Sequence, residues 1–119
     1  MTDRRFPRSV YGAGDEPDPR FSLANERTFL AWIRTSLALL AVGVAIEALQ
    51  LDIQPVLRFI ASVLFVLLAV VAAVHGWISW QRSERAMRLG RALPGPSSGP
   101  VIVVGVVIAI LLLAVGLFL

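Results

Sequence analysis

The first apolar stretch of the chain reads ANERTFLAWIRTSLALLAVGVAIEAL over residues 24–49. Taken at alternating steps of three and four, its residues are only alanine or arginine: Ala24, Arg27, Ala31, Arg34, Ala38, Ala41, Ala45 and Ala48. Because this spacing follows one side of an α-helix, we call these eight residues the alanine–arginine face. Small side chains let helices approach closely, and a charge within lipid usually faces protein or water. The stretch therefore predicts an assembled membrane protein with a basic inner surface near one leaflet.

The composition indicates a protein that lies mostly in a membrane. Of its 119 residues 57% are hydrophobic, above the roughly 45–50% of soluble domains. Three apolar segments, 29–49, 57–80 and 101–119, reach the length of about 20 residues that a spanning helix needs. We predict an all-α integral membrane three-helix bundle over 20–119, with helices at about 22–49, 57–89 and 101–119. The polar tail 1–19 is predicted to be disordered.

The arginines predict the orientation, since the chain has no lysine. Nine of them lie in the tail, at the start of the first helix or between the second and third helices. Against these, Arg58 alone lies near the first turn. The positive-inside rule then puts the N-terminus in the cytosol and the C-terminus outside.

Several function classes are excluded or disfavoured by what the sequence lacks. There is no cysteine, and His75 is the only histidine, so a thiolate or histidine metal cluster cannot form within one chain. No catalytic set and no phosphate-cradling glycine loop is present. We therefore expect no enzyme activity, no metal, no cofactor and no nucleic-acid partner.

Helix packing is expected through small residues, within one subunit or between subunits. The candidates are Ala31, Ala38, Ala41, Ala45 and Ala48 in the first span and Gly105, Ala109 and Gly116 in the third. Three helices enclose no cavity large enough for a ligand, so we expect an oligomer in the lipid bilayer. Arg34, roughly 8 Å inside the apolar boundary, either snorkels to the headgroups or faces a bundle interior.

A basic collar at the inner surface is the candidate ligand site. It comprises Arg20 and Arg27 together with the arginines after the second helix, Arg82, Arg85, Arg88 and Arg91. The ordinary attraction of such residues to anionic lipid, about 1 kcal/mol each, is one explanation. A binding site for a polyanion is the other, and phosphate matches guanidinium geometry best.

Local contacts are predicted as well. Ser22 or, in competition with it, Asn25 caps the first helix. Opposite charges predict two weak ion pairs, Glu47–Arg58 across the outer turn and Glu84–Arg88 along the second helix.

The run DPRFSLANERTFLAWIRTS at residues 18–36 closely resembles the signature of the YidH family. These are small bacterial three-helix membrane proteins assigned to a domain of unknown function. The most specific part is ANERT at 24–28 followed by Trp32, and the resemblance extends over about 20–119. It implies a multi-pass protein of the bacterial inner (plasma) membrane.

The same domain resembles the membrane part of the eukaryotic vacuolar polyphosphate polymerase, the VTC complex. There, five copies surround a polyphosphate-conducting pore that the first helix lines. The resemblance implies that Arg20 and Arg27 lie at a pore entrance, that Glu26 is the neighbouring acid, and that Arg82 and Arg85 belong to the basic stretch after the second helix. This chain lacks a polymerase domain, and the eukaryotic subunits have an uncharged residue where this chain has the arginine within the span.

Two hypotheses follow. In the first, the protein oligomerises through its first helix and presents an arginine-lined vestibule to the cytosol, where Glu26 holds Arg27 and phosphate or polyphosphate is bound or conducted. In the alternative, the protein is a scaffold or accessory subunit that docks another membrane protein through its small-residue faces. The oligomer is expected to be a homo-oligomer or a hetero-oligomer with related subunits. An alanine–arginine face packed shut within the subunit would weaken the first hypothesis, and an open face would favour assembly.

Overall fold

The described part of the chain forms three long helices and one short one. The computed structural model describes residues 4–95 and 99–119. Its helices are α1 (Arg8–Tyr11), α2 (Pro19–Ala48), α3 (Pro55–Arg88) and α4 (Gly99–Phe118), and no strand occurs among the described residues. By length and composition, α2, α3 and α4 are each able to cross a membrane. The predicted all-α membrane fold is confirmed, and the orientation of the termini stays a prediction.

The central helix is α3. Both α2 and α4 pack along it, and within the described residues these two do not pack side by side. One apolar core joins the three helices, formed by Leu39, Ile46, Phe65, Leu68, Ala69, Ala72 and Ala109. With 34 residues, α3 is about 51 Å long. It therefore extends beyond a hydrocarbon layer of about 30 Å.

Serine hydroxyls and a glycine hold α2 close to α3. The Ser62 hydroxyl donates to the carbonyl of Gly43 at 2.6 Å, and the Ser36 hydroxyl donates to the carbonyl of Ala69 at 2.6 Å. A Cβ at Gly43 would lie only 3.0 Å from the Ser62 carbonyl oxygen. Interhelical hydrogen bonds of this kind contribute about 0.6 kcal/mol each in membrane proteins.

The small residues of α4 lie against α3. Gly105, Ala109 and Gly116 are all buried. A Cβ at Gly105 would lie 2.6 Å from the Leu68 side chain, and one at Gly116 would lie 2.5 Å from Ile53. This face of α4 is therefore used for packing within the subunit.

The helix α2 also approaches α3 closely at Gly76, where a Cβ would lie 2.8 Å from the Cβ of Trp32. Because a Cβ cannot move without its backbone, the two helices would have to separate. We expect Gly76→Ala to lower the free energy of unfolding by about 1–3 kcal/mol, measured by denaturant titration in detergent. Gly95→Ala is the control, since a Cβ there would have no atom within 4 Å among the described residues other than its neighbours in the chain. Equal stability of the two variants would contradict this packing.

The N-terminal tail differs from the prediction of disorder. Residues 4–18 include α1, which packs on α3. The Phe6 ring stacks on Trp77 at 6.4 Å, the Tyr11 ring lies 6.3 Å from Trp80, and Val10 is 1% exposed. The prediction was wrong for these residues because their few apolar side chains find a matching surface on α3. Residues 1–3 lie outside the described residues.

The guanidinium of Arg88 binds the tail to α3. Its Nε donates to the carbonyl of Ala13 at 2.7 Å and its Nη2 donates to the carbonyl of Tyr11 at 3.0 Å. Its Nη1 lies 3.3 Å from a carboxylate oxygen of Glu16. Gly14 has a φ of +51°, and a Cβ there would collide with the Arg88 carbonyl. The tail thus follows a path that this glycine makes possible.

The start of α2 is capped by Asp18, so the predicted caps Ser22 and Asn25 were wrong. A carboxylate oxygen of Asp18 accepts from the amide of Arg20 at 2.9 Å, and the other accepts from its guanidinium at 2.8 Å. The Arg20 guanidinium, and then its amide, hold the pKa of Asp18 below the usual value. Pro19 follows at the first helical position, where a missing N–H costs nothing.

The turn between α2 and α3 contains the predicted ion pair. The Nε of Arg58 lies 3.4 Å from a carboxylate oxygen of Glu47, and its Nη1 donates to the carbonyl of Leu51 at 2.9 Å. This pairing across the hairpin is therefore confirmed.

Candidate functional site

The alanine–arginine face lies on the side of α2 that is turned away from α3. Seven of its eight residues are exposed, and Ala45 is half-buried. The buried residues of α2 are Leu39, Gly43 and Ile46. At about 100° per residue, these point on average about 130° away from the alanine–arginine face. The face is therefore open on the single chain.

This face differs from the rest of the outward surface of the spans. Elsewhere the exposed residues are mostly large and apolar, such as Leu37 and Val44 on α2, Val70 on α3 and Leu111 on α4. Such side chains are suited to acyl chains. Six methyl groups and two guanidinium groups offer lipid little apolar area, and small side chains such as alanine are typical of an interface between membrane helices.

Three arginines form a row along the alanine–arginine face and its extension towards the tail. Arg20, Arg27 and Arg34 are spaced seven residues apart, or about 10.5 Å, and all three are exposed. Arg20 pairs with Asp18. Among the residues that the structure describes, no acid lies within 4 Å of the guanidinium of Arg27 or Arg34. We call these three residues the arginine row.

Glu26 lies apart from the arginine row. It lines a groove of about 260 Å³ between the tail, α2 and α3. In the described parts of the chain it forms no ion pair with Arg27, because neighbouring residues on a helix point about 100° apart. The expectation that Glu26 holds Arg27 in place was therefore wrong for the single chain.

Glu84 is the polar centre of the contact between α2 and α3. It is 3% exposed and accepts hydrogen bonds from the Ser22 hydroxyl and the Asn25 amide, both at 3.2 Å. The predicted pair with Arg88 is not formed, since that guanidinium binds the tail. Sequence reasoning missed this contact. The four-residue spacing of Trp80, Glu84 and Arg88 was the signal that one side of α3 is polar and buried.

Arg82 and Arg85 lie on a different surface from the arginine row. Both are exposed near the end of α3, and together with Arg91 they line a groove of about 500 Å³. No residue of α2 lines this groove. In the single chain the predicted collar is therefore divided into two basic surfaces, with Arg88 in neither.

A third groove, of about 380 Å³, lies between α2, α3 and the segment 93–95. Trp32 and His75 line it with their rings edge to face at 4.5 Å. The hydroxyls of Thr28, Ser79 and Ser83 lie along the same groove. It is an amphipathic groove that the sequence did not indicate.

Fold and site together define a class: a membrane protein with three spans whose first long helix presents an open face of alanine and arginine. The chain belongs to the family described as Domain of unknown function (DUF202), whose model matches residues 20–86. The predicted YidH family is thereby confirmed.

One of the chain's relatives is a bacterial inner membrane protein. The chain is 50% identical over 86 residues to the inner membrane protein YidH of Escherichia coli (strain K12). The aligned residues make up 71% of this chain and 75% of that protein. It is 49% identical over 82 residues to an uncharacterized protein of Mycobacterium tuberculosis (strain ATCC 25618 / H37Rv), covering 68% and 66%. No solved structure matches the chain. With the three long helices, the first relative confirms the predicted multi-pass inner-membrane location. Neither relative's name indicates an enzyme.

Proposed function

We propose that the protein assembles through the alanine–arginine face, so that the arginine row lines a vestibule that binds or conducts a polyanion. The observation behind this proposal is that the face is open, while the small-residue face of α4 is already packed against α3. The occupant that we propose for the open face is the same face on further copies of this chain. In a hetero-oligomer, related subunits would take the place of some of these copies.

The cost of a charge in lipid supports assembly. An arginine at the centre of a spanning helix costs about 2.5–3.5 kcal/mol, and less near the boundary. The outward position of Arg34 excludes the interior of its own subunit, which leaves snorkelling or an interface between subunits. Snorkelling brings the guanidinium of Arg34 to the headgroups but leaves a long strip of alanine in contact with lipid. Assembly covers the alanines and hydrates the guanidiniums at once.

The chemistry of the arginine row supports an anionic ligand. Guanidinium binds phosphate oxygens in bidentate fashion and remains charged at any physiological pH. Since Arg27 and Arg34 have no acidic partner among the described residues, their charge is available to a ligand. Repeated around an assembly, the row forms rings of positive charge about 10.5 Å apart. A chain of phosphates spans such rings, whereas a single phosphate contacts one of them.

The test is a comparison of ligands on the purified protein in lipid. Polyphosphate is expected to bind more tightly than inorganic phosphate, with a steep dependence on salt concentration. Liposomes that contain the protein are expected to release an anion faster than empty ones if the vestibule conducts. A stable heteromeric membrane partner, together with no polyphosphate binding and no anion flux, would replace this proposal with the scaffold hypothesis.

A further inference from the structure

The groove at the end of α3 holds three cations without acids. Arg82, Arg85 and Arg91 line it, and its remaining walls are small or apolar: Ala86, Leu89, Ala92 and Pro94. Within residues 4–95 and 99–119, no acid lies within 4 Å of any of the three guanidiniums. By contrast Arg88, three residues after Arg85, is fully engaged by the tail. The groove therefore combines unpaired positive charge with apolar walls.

The depth of the groove matches the headgroup layer of a bilayer. Trp77 and Trp80 stack on each other at 5.4 Å, and such aromatic residues favour the boundary between acyl chains and headgroups. Arg82 and Arg85 follow Trp80 by two and five residues, or about 3 and 7.5 Å along the helix. The headgroup layer is about 5–7 Å thick on each side of the hydrocarbon. With these tryptophans at that boundary, Arg82 and Arg85 fall at the level of the lipid phosphates.

We propose that this groove binds the phosphate of an anionic phospholipid headgroup. The guanidiniums of Arg82, Arg85 and Arg91 bind the phosphate oxygens, and the apolar walls contact the glycerol and the first acyl carbons. A free phosphate ion would satisfy the guanidiniums and leave Pro94 without a contact, whereas Leu89, nine residues past Trp80, lies on the water side of the phosphates. This site does not depend on assembly through the alanine–arginine face, since no residue of α2 lines it.

The experiment measures lipid affinity in a neutral detergent with the full chain. Short-chain phosphatidylglycerol, phosphatidylcholine and inorganic phosphate are titrated, and the fluorescence of the tryptophans reports binding. The variant is Arg85→Gln with Arg91→Gln. The control is Arg4→Gln with Arg8→Gln, which removes the same charge from two exposed tail residues. We expect the first pair to weaken phosphatidylglycerol binding about 25-fold, or about 5-fold per guanidinium. The control pair should change it less than about 3-fold.

Three results would overturn the proposal. If both double variants weaken phosphatidylglycerol binding equally, the lipid is attracted by the net charge of the protein and not by this groove. Binding of phosphatidylcholine as tight as that of phosphatidylglycerol would mean that acyl chains alone are recognised. Inorganic phosphate that binds as tightly as the anionic lipid and displaces it would make a soluble anion the occupant.

A lysine variant keeps the test decisive if the glutamine pair unfolds. Arg85→Lys with Arg91→Lys retains the charge and loses the bidentate geometry. We expect this pair to weaken phosphatidylglycerol binding by an intermediate factor with an unchanged unfolding temperature. Full retention of affinity would contradict a geometric phosphate site.

Discussion

Replacing Arg27 and Arg34 together by alanine should abolish polyphosphate binding by the assembled protein. Each hydrogen bond to a charged group contributes about 1.5–3 kcal/mol, and the double variant removes two guanidiniums from every subunit. We therefore expect affinity for polyphosphate to fall at least about 100-fold, measured by titration of labelled polyphosphate against the protein in lipid nanodiscs. Any anion flux from liposomes should fall with it.

The double variant should keep its fold and its assembly. Both side chains are exposed and form no ion pair among the described residues, so the unfolding temperature is expected to stay within a few degrees. Removing like charges from a shared interface should, if anything, tighten the association of subunits. Arg4→Ala with Arg8→Ala is the charge-matched control and should retain most of the affinity. Full polyphosphate binding by the Arg27 and Arg34 variant would rule out the arginine row as the binding site.

The second large effect is expected at the tail, where Arg88→Ala should release residues 4–18 from α3. The Arg88 side chain is 5% exposed and donates to two backbone carbonyls and Glu16. Its loss leaves these acceptors without their donor, at a cost of about 2 kcal/mol or more. That cost corresponds to an increase of about 30-fold in the population of the open tail. Hydrogen exchange of the amides of residues 10–15 measures this opening directly.

Arg85→Ala is the matched control for tail release. Arg85 lies three residues before Arg88 on α3, and its side chain forms no ion pair with the described residues of the tail. Its replacement should leave the exchange rates of the tail unchanged. The Arg88 variant should also change tryptophan fluorescence, because Phe6 and Tyr11 leave Trp77 and Trp80. Tail amides that remain protected from exchange in the Arg88 variant would show that the aromatic contacts hold the tail on α3 without Arg88.

Periodicity and length were sufficient to predict the spans. Three apolar runs of adequate length predict three helices, and the structure has them in the order expected. The small residues Gly105, Ala109 and Gly116 recur on one side of α4 and are buried there. These features are local, so the sequence contains them directly.

Contacts between segments that are far apart in the sequence could not be predicted from composition. Proline, glycine and acids in the tail indicate disorder, yet Phe6, Val10 and Tyr11 find a surface that exists only once α3 is formed. In the same way Ser22 and Asn25 are good local caps, but a buried carboxylate on α3 offers both a stronger partner. A charge on a neighbouring helix outcompetes local propensity, and a single sequence does not indicate which helix lies alongside.

For the alanine–arginine face, the residue pattern predicts the face itself but not the surface that covers it. The spacing predicts that its residues share one side of the helix, and they do. It does not predict which of the available partners covers that side. The structure excludes α3 of the same chain as that partner, since α3 binds a different side of α2 through Leu39, Gly43 and Ile46.

A cysteine scan along α2 tests the assembly most directly, because the native chain contains no cysteine. Single cysteines at each position from 37 to 48 are oxidised in lipid, and the disulfide-linked dimer is quantified. A disulfide requires Cα atoms about 4.4–6.8 Å apart, so linking should peak at Ala38, Ala41, Ala45 and Ala48 and fall to background at Leu40 and Val44. Uniformly low linking at all positions, or a maximum at Leu40 and Val44, would contradict assembly through the alanine–arginine face.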